Sequence, residues 1–272
     1  MDLRIVNERL VIPGLQHTYR LLQISDTHMC PDSPLDSDEV RSEAKASRES
    51  WTDADFGMTL EELFLQLVAY GRKNSVDVYV FPGDIVDFLS PGIVEYMKTF
   101  LEDQTGVRLY VPGNHETGDD GFLFSAFADD PKLQILELGE LRLVGINNAE
   151  HMVEDATMDA LEAVLNGDKP VILVHHIPLQ TPSLIKGIDA FWGGGDTYFR
   201  FGGANSDDPR VVRYQTLLQK KTTRLVAVMA GHVHFSHTDT FENGVVQYVS
   251  GAGCNGHARL LTICGEETNT NE

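Results

Sequence analysis

From position 60 the apolar residues fall at Leu60, Leu63, Phe64, Leu67 and Val68, a three-and-four spacing that gathers them on one face of a helix. Thr59 ahead of the run, with Glu62 three positions later, is the pair that closes a helix's first turn from both sides. Residues 59–74 are therefore predicted helical. The apolar runs in "TYRLLQIS" (18–25), "VDVYVFPGD" (76–84) and "VRLYVPGN" (107–114) are shorter and continuous, and each ends in small, polar or turn-forming residues, as buried strands do. "GIVEYMKTFLEDQ" reads as a helix between the last two, and "DSDEVRSEA" as a weaker one. Strands alternating with helices imply crossover connections and a largely parallel central sheet.

Farther along, "LQILELGELRLVGI" reads as a hairpin about Gly139, "TMDALEAVLNG" as a helix closed by Gly167, and "PVILVHH" as another buried strand. "RLVAVMAGH", a hairpin turning at "ENG", and "ARLLTIC" complete the pattern. Pairing is expected to be parallel early and increasingly antiparallel late, an α/β fold with mixed sheets. With no internal repeat, low-complexity tract or linker composition, residues 1–272 are expected to form one domain. Two segments interrupt the pattern. Residues 30–57 are acidic with few apolar positions and are expected to be a solvated insertion or flap. Residues 190–208, with "FWGGGDTYFRFGG", are either a lid that stacks a base and pairs Arg200 with phosphate or a plain loop. Their glycines do not follow the phosphate-cradling loop pattern, so ATP binding is not expected.

The 272 residues are 42% hydrophobic, ample for a sizeable core. A formal net charge of −20 excludes a broad nucleic-acid or anionic-membrane interface, which needs basic surface. A small phosphorylated substrate stays compatible if bound cations reverse the local field. No apolar stretch is long enough for a membrane span and "MDLRIVNERL" lacks the features of a signal peptide, so a cytoplasmic location is expected. Cys30, Cys254 and Cys264 lie outside any C-x-x-C spacing and read as ordinary thiols.

The chemically capable residues recur just past the strands: Asp26 and His28 in "SDTH", Asp84 in "PGDIVD", Asn114 and His115 in "PGNHE", His175 and His176 in "VHHIP", His232 and His234 in "GHVH". The carboxyl ends of strands are where open α/β sheets bind ligands. The i, i+2 pairs Asp26/His28 and His232/His234 each point one way if the local backbone is extended. Asp, Asn and His together suit manganese, iron, zinc, nickel or cobalt better than calcium, and the donors outnumber what one four-coordinate ion takes, so two ions are the economical reading. Taken singly, each motif is an ordinary turn with polar followers; their repeated placement after apolar strands is what points to metal. Gly83 and Gly113 directly precede candidate ligands, where a side chain would obstruct the backbone.

The ordered series "SDTH", "GDIVD", "GNHE", "VHHIP" and "GHVH" over residues 25 to 234 resembles the calcineurin-like metallophosphoesterase superfamily. The resemblance implies a four-layer αββα sandwich with two central mixed β-sheets. It implies two divalent or mixed-valence ions of the manganese, iron or zinc type: one held by Asp26, His28 and His234, the other by Asn114, His175 and His232, with Asp84 bridging. Relatives often have proline two residues after the histidine of "VHHIP"-type motifs; here Ile177 stands two after His175, which leaves His175 and His176 as alternatives, with His175, immediately after the strand, the expected ligand. His115 is implied as the non-ligand catalytic histidine and Asp87 as the carboxylate that orients it. The chemistry implied is phosphate-ester hydrolysis by a metal-activated hydroxide attacking phosphorus in line, most similar to the compact bacterial branch containing cyclic-nucleotide phosphodiesterases. Alternatives are a phosphomonoesterase, a nucleotide pyrophosphatase, or a non-catalytic scaffold. The scaffold would have to keep every ligand and His115 for no chemical reason. A DNA-repair nuclease would want a basic groove, and an amide hydrolase shares the water-activation logic.

Overall fold

The computed structural model describes residues 2–104, 106–116, 133–194, 197–221 and 223–266. In chain order the described strands and α-helices are β1 (Arg4–Val11), β2 (Tyr19–Gln23), α1 (Asp38–Trp51), α2 (Leu60–Lys73), β3 (Val78–Pro82), α3 (Pro91–Gln104), β4 (Arg108–Val111), β5 (Leu133–Leu138), β6 (Leu141–Ile146), α4 (Asp155–Leu165), β7 (Val171–Val174), α5 (Pro182–Trp192), α6 (Pro209–Leu218), β8 (Leu225–Ala230), β9 (His237–Thr240), β10 (Val246–Val249) and β11 (His257–Cys264). They form a five-stranded sheet in the order β1-β11-β2-β3-β4 and a six-stranded sheet in the order β5-β6-β7-β8-β10-β9. Both are mixed. β2, β3 and β4 run parallel, as do β6, β7, β8 and β10, while β11 meets β2, β5 meets β6 and β9 meets β10 antiparallel.

Side-chain alternation along the strands builds the layers. In β2 and β3, Leu21, Val78 and Val80 point into an apolar layer shared with Leu143, Ile172, Val174 and Met229 of the other sheet. Their neighbours Leu22, Tyr79 and Phe81 point the opposite way, against Phe64, Leu67 and Val68 of α2 and Met97 of α3. On the far side, Val144 and Leu173 pack with Met158 and Leu161 of α4 and with Val211 and Tyr214 of α6. The result is the expected αββα sandwich. Each fully buried large aliphatic or aromatic side chain contributes roughly 1.5–3 kcal/mol through removal from water.

α2 starts at the predicted capping box, with Thr59 and Glu62 each accepting the other's backbone N–H. Three elements were not foreseen. β1 mixes charged and apolar residues without a strict alternation, and among the described residues it is an edge strand paired with β11. α5 and α6 each open with a capping residue before proline, Thr181–Pro182 and Asp208–Pro209, a start signal obscured by the glycines and aromatics between them. The acidic insertion is also more than solvated chain. It contains α1, in which only Ala44 is buried, and it folds back through Asp36, which accepts from the Gly92 N–H and the Ser90 hydroxyl at 2.9 Å each.

Strands β2, β3, β4, β7 and β8 end along one edge of the sandwich. Two contacts fasten the sheets there: the Gln23 amide donates to the carbonyl of Ala230 (2.7 Å), and His176 Nδ1 donates to that of Pro82 (2.6 Å).

Candidate metal centre

Seven non-glycine residues have positive φ among the described residues, and five of them are candidate ligands: Asp26 (55°), His28 (46°), Asp84 (51°), His232 (74°) and His234 (64°). The expectation that the two i, i+2 pairs lie on extended backbone is therefore corrected. Each member sits in the left-handed region, at a cost of order 1–3 kcal/mol per residue. Backbone bonds offset that cost. The Asp26 and His28 N–H groups donate to Gly83 and Asp84 carbonyls at 3.1 Å, and the His232 N–H donates to both Asp26 carboxylate oxygens at 3.0 Å. The glycines directly ahead of Asp84, Asn114 and His232 have no room for a side chain. A Cβ on Gly113 would lie 2.0 Å from Asp84 Oδ1, one on Gly83 2.5 Å from the Gly113 nitrogen, and one on Gly231 1.9 Å from Ser25 Oγ.

The folded backbone gathers the donors into three overlapping groups, in each of which the donor atoms lie within 4.8 Å of one another: Asp26, His28 and His234; His28, Asp84 and His115; and Asp84, His176 and His232. Asn114 joins the last group, its Oδ1 3.0 Å from His176 Nε2. His175 does not. Its ring faces the opposite way from its neighbour's, into the layer beneath the sheet, where Nδ1 contacts the Tyr214 hydroxyl at 2.8 Å. The expectation that His175 lies among the donors is thus corrected: His176 does, because successive side chains leave an extended segment on opposite faces and the His176 side faces Asp84. The signal was in the sequence: Pro178 stands two residues after His176, restoring the relatives' spacing.

The donor set fits two cations. His176 Nδ1 is committed to the Pro82 carbonyl, so in the neutral ring Nε2 carries a lone pair, yet it faces Asp84 Oδ2 at 3.1 Å and Asn114 Oδ1 at 3.0 Å. Three acceptors converging in a buried space demand a positive charge between them. Without metal a proton fills that need: burial alone would lower the His176 pKa, but the Asp84 carboxylate lifts it to about 9. In the other group His28 Nδ1 donates to Asp87 Oδ1 (3.0 Å), which leaves its Nε2 lone pair 3.1 Å from His234 Nε2. His28 and His232 are held neutral, as ligands must be; burial lowers both, and the charge of His176 helps carry His232 to about 3.

His115 lies beside this centre. Its Nδ1 is 3.0 Å from Asp87 Oδ1 and 2.7 Å from the Asp87 carbonyl. Burial would lower its pKa, but the Asp87 hydrogen bond and the charge of Asp84 raise it to about 9. Asp87 Oδ1 thus serves His28 and His115 together, and it accepts a third bond from Trp51 Nε1 at 2.8 Å.

Three contributors escaped sequence reasoning. Trp51, at the end of α1, lies flat against His28. Glu116 is buried under the ligand turns, where its carboxylate accepts from the N–H groups of Asp84, Ile85, Val86 and Gly113 at 2.7–3.1 Å; burial and the neighbouring Asp84 charge push its pKa up to about 7. Tyr198 comes from the aromatic segment, of which Gly195 and Asp196 lie outside the described residues. That segment begins inside α5 and packs on "GHVH": Trp192 Nε1 donates to the Val233 carbonyl (3.1 Å) and the Trp192 ring stacks on Phe199 at 4.9 Å. Arg200 uses its carbonyl to accept from His151 Nδ1 at 2.8 Å.

A solved dimetal phosphatase from Danio rerio has this two-sheet fold, with a TM-score of 0.54, 12% identity and coverage of 87% of this chain and 88% of that one. The chain belongs to the calcineurin-like phosphoesterase family, whose sequence pattern matches residues 19–236. It is similar to a protein described as a probable cyclic nucleotide phosphodiesterase from Psychrobacter arcticus, 26% identical over 197 residues that cover 63% of this chain and 66% of that protein. An uncharacterized metallophosphoesterase from Helicobacter pylori is 30% identical over 149 residues, covering 49% of this chain and 39% of that protein. The chain thus matches just under two thirds of the first relative's length and about two fifths of the second's. Among the described residues no helix is long and apolar enough to cross a membrane.

Proposed function

We propose that the chain is a binuclear metal-dependent phosphoesterase that hydrolyses a small phosphorylated substrate, with a phosphodiester as the preferred class. The observation that supports this most is the overlap of the donor groups through His28 and Asp84: two three-donor sites share a boundary, as a pair of bridged ions requires. In this reading Asp26, His28 and His234 hold the first ion, Asn114, His176 and His232 hold the second, and Asp84 lies between them. Two such ions supply Lewis acidity toward phosphoryl oxygens and acidify a shared water.

The chain's own residues do the rest. Asp87 orients the His115 ring through Nδ1 and favours its protonated form, so that Nε2–H can stabilise or protonate the oxygen leaving phosphorus. Asp87 also fixes the tautomer of His28. The ions answer the charge problem, since a chain of net charge −20 otherwise repels phosphate. Diester preference draws support from the Psychrobacter relative's description; phosphomonoesters and nucleotide pyrophosphates are the alternatives, because loops around a common centre select the substrate.

The test is hydrolysis by metal-depleted protein reconstituted with Mn²⁺, comparing bis-p-nitrophenyl phosphate, p-nitrophenyl phosphate and 2′,3′- and 3′,5′-cyclic AMP. Metal-dependent diester cleavage, lowered about 100- to 10,000-fold by His115→Asn, is the expected result. Protein that binds two ions and cleaves none of these esters would favour a scaffold.

A further inference from the structure

Two members of the second donor group, Asn114 and His232, come from different sheets, and one residue outside both sheets touches each. Tyr198, in the 3₁₀ turn Thr197–Phe199, accepts at its backbone carbonyl from His232 Nε2 (3.0 Å). Its hydroxyl accepts from Asn114 Nδ2 (2.6 Å). The ring itself lies 5.2 Å from the His232 ring, and that of Phe199 lies 5.6 Å from it on the same turn.

Each contact dictates which atom the ligand residue has left to offer. An imidazole that donates through Nε2, as that of His232 does to the Tyr198 carbonyl, is, when neutral, the tautomer with its lone pair on Nδ1. An amide whose Nδ2 is held by the tyrosine hydroxyl must turn its Oδ1 the other way, and Asn114 Oδ1 is found 3.0 Å from His176 Nε2. The same turn therefore sets the tautomer of one ligand and anchors the side chain of another. The first donor group is braced differently, by Asp87 and Trp51 on His28.

We propose that Tyr198 is a positioning residue for the second metal ion: its turn, from the aromatic segment outside the sheets, orients Asn114 and His232 and so sets the affinity of that one position. The proposal rests on the two-ion reading above. Tyr198 is 46% exposed, so removing its hydroxyl leaves the core untouched. Outer-sphere partners of this kind typically change metal affinity by about 10- to 100-fold.

The test is titration of the metal-free full chain with Mn²⁺, followed by calorimetry and by electron paramagnetic resonance, which separates an isolated Mn²⁺ from a spin-coupled pair. Wild type is compared with Tyr198→Phe, which loses only the hydroxyl, and with Tyr198→Ala, which also loses the ring; a thermal melt of each metal-free protein checks the fold. The expected result is a first Mn²⁺ bound as in wild type, a second weakened about 10- to 100-fold, and a coupled spectrum that appears only at higher Mn²⁺. Two ions bound by both variants with wild-type affinities would overturn the proposal, as would equal weakening at both positions. Wild-type protein that never forms a coupled pair would overturn the two-ion reading itself, a result distinct from either.

Discussion

The indole of Trp51 lies parallel to the imidazole of His28, with ring centroids 4.1 Å apart and 11° between the planes. The two residues come from a polar insertion and from the turn after β2, and the contact makes α1 one wall of the first donor group. Trp51 also donates to Asp87 Oδ1, the oxygen that fixes the His28 tautomer. Trp51→Phe keeps a stacking ring and loses the donor. It is expected to weaken the first ion by about 10-fold, the low end for an outer-sphere partner, and Trp51→Ala by more. Calorimetric metal titration checks both. Wild-type affinity in Trp51→Ala would mean that the insertion merely covers the site.

The two adjacent histidines after β7 give opposite expectations. His176→Asn is expected to hold one ion per chain and to lose turnover by at least the about 10- to 100-fold that follows loss of a mere outer-sphere partner. His175→Gln retains a polar contact for Tyr214 and is expected to hold both ions with little change in rate. Elemental analysis of the purified, metal-reconstituted variants distinguishes them. A His175→Gln protein that binds one ion would reverse the assignment.

The sandwich and most of the centre were legible because both rest on local chemistry. Leu21, Val78 and Val80 alternate with Leu22, Tyr79 and Phe81 at the period that a two-faced buried sheet requires, and Asp26, Asp84, Asn114 and His232 stand directly past such strands. Trp51 and Tyr198 were harder to see because neither carries a motif of its own and each reaches the site across long sequence separation. The turns after β2 and β8 misled in another way. Spacing of two suggests extended chain, whereas only the folded backbone reveals left-handed φ at His28 and His234. The exchange of His175 for His176 is a one-residue error, and in a strand one residue inverts the face.

Glu116 joins the turn after β3 to the turn after β4 through four backbone N–H groups. Glu116→Gln has nearly the same shape but replaces one acceptor oxygen with an NH₂ group that must face N–H donors. The expected loss is about 1–3 kcal/mol of stability, the usual cost of an unsatisfied buried polar group. Because the affected turns carry Asp84 and Asn114, metal affinity falls with it. Urea unfolding and metal titration of the same preparation measure the two effects; an unchanged midpoint would show that the turns hold without this carboxylate.

His175 carries a pH signature of its own. The ring is fully buried, and burial, followed by the charge of His176, lowers its pKa to about 3. Its ordinary value of 6.5 applies to the unfolded chain. The depressed pKa means that the folded state binds the proton less readily than the unfolded state does. Its contribution to stability is therefore fully present above pH 6.5 and is lost as pH falls from there toward 3. One such group changes stability by about 1.4 kcal/mol per pH unit inside that window, or roughly 2 kcal/mol between pH 6.5 and 5. His175→Gln removes this proton uptake while leaving His176 and His232 in place. Metal-free wild type is expected to lose stability faster than the variant between pH 7.5 and 5, by urea denaturation. Parallel pH profiles would mean that His175 accepts a proton in the folded protein as readily as in the unfolded chain.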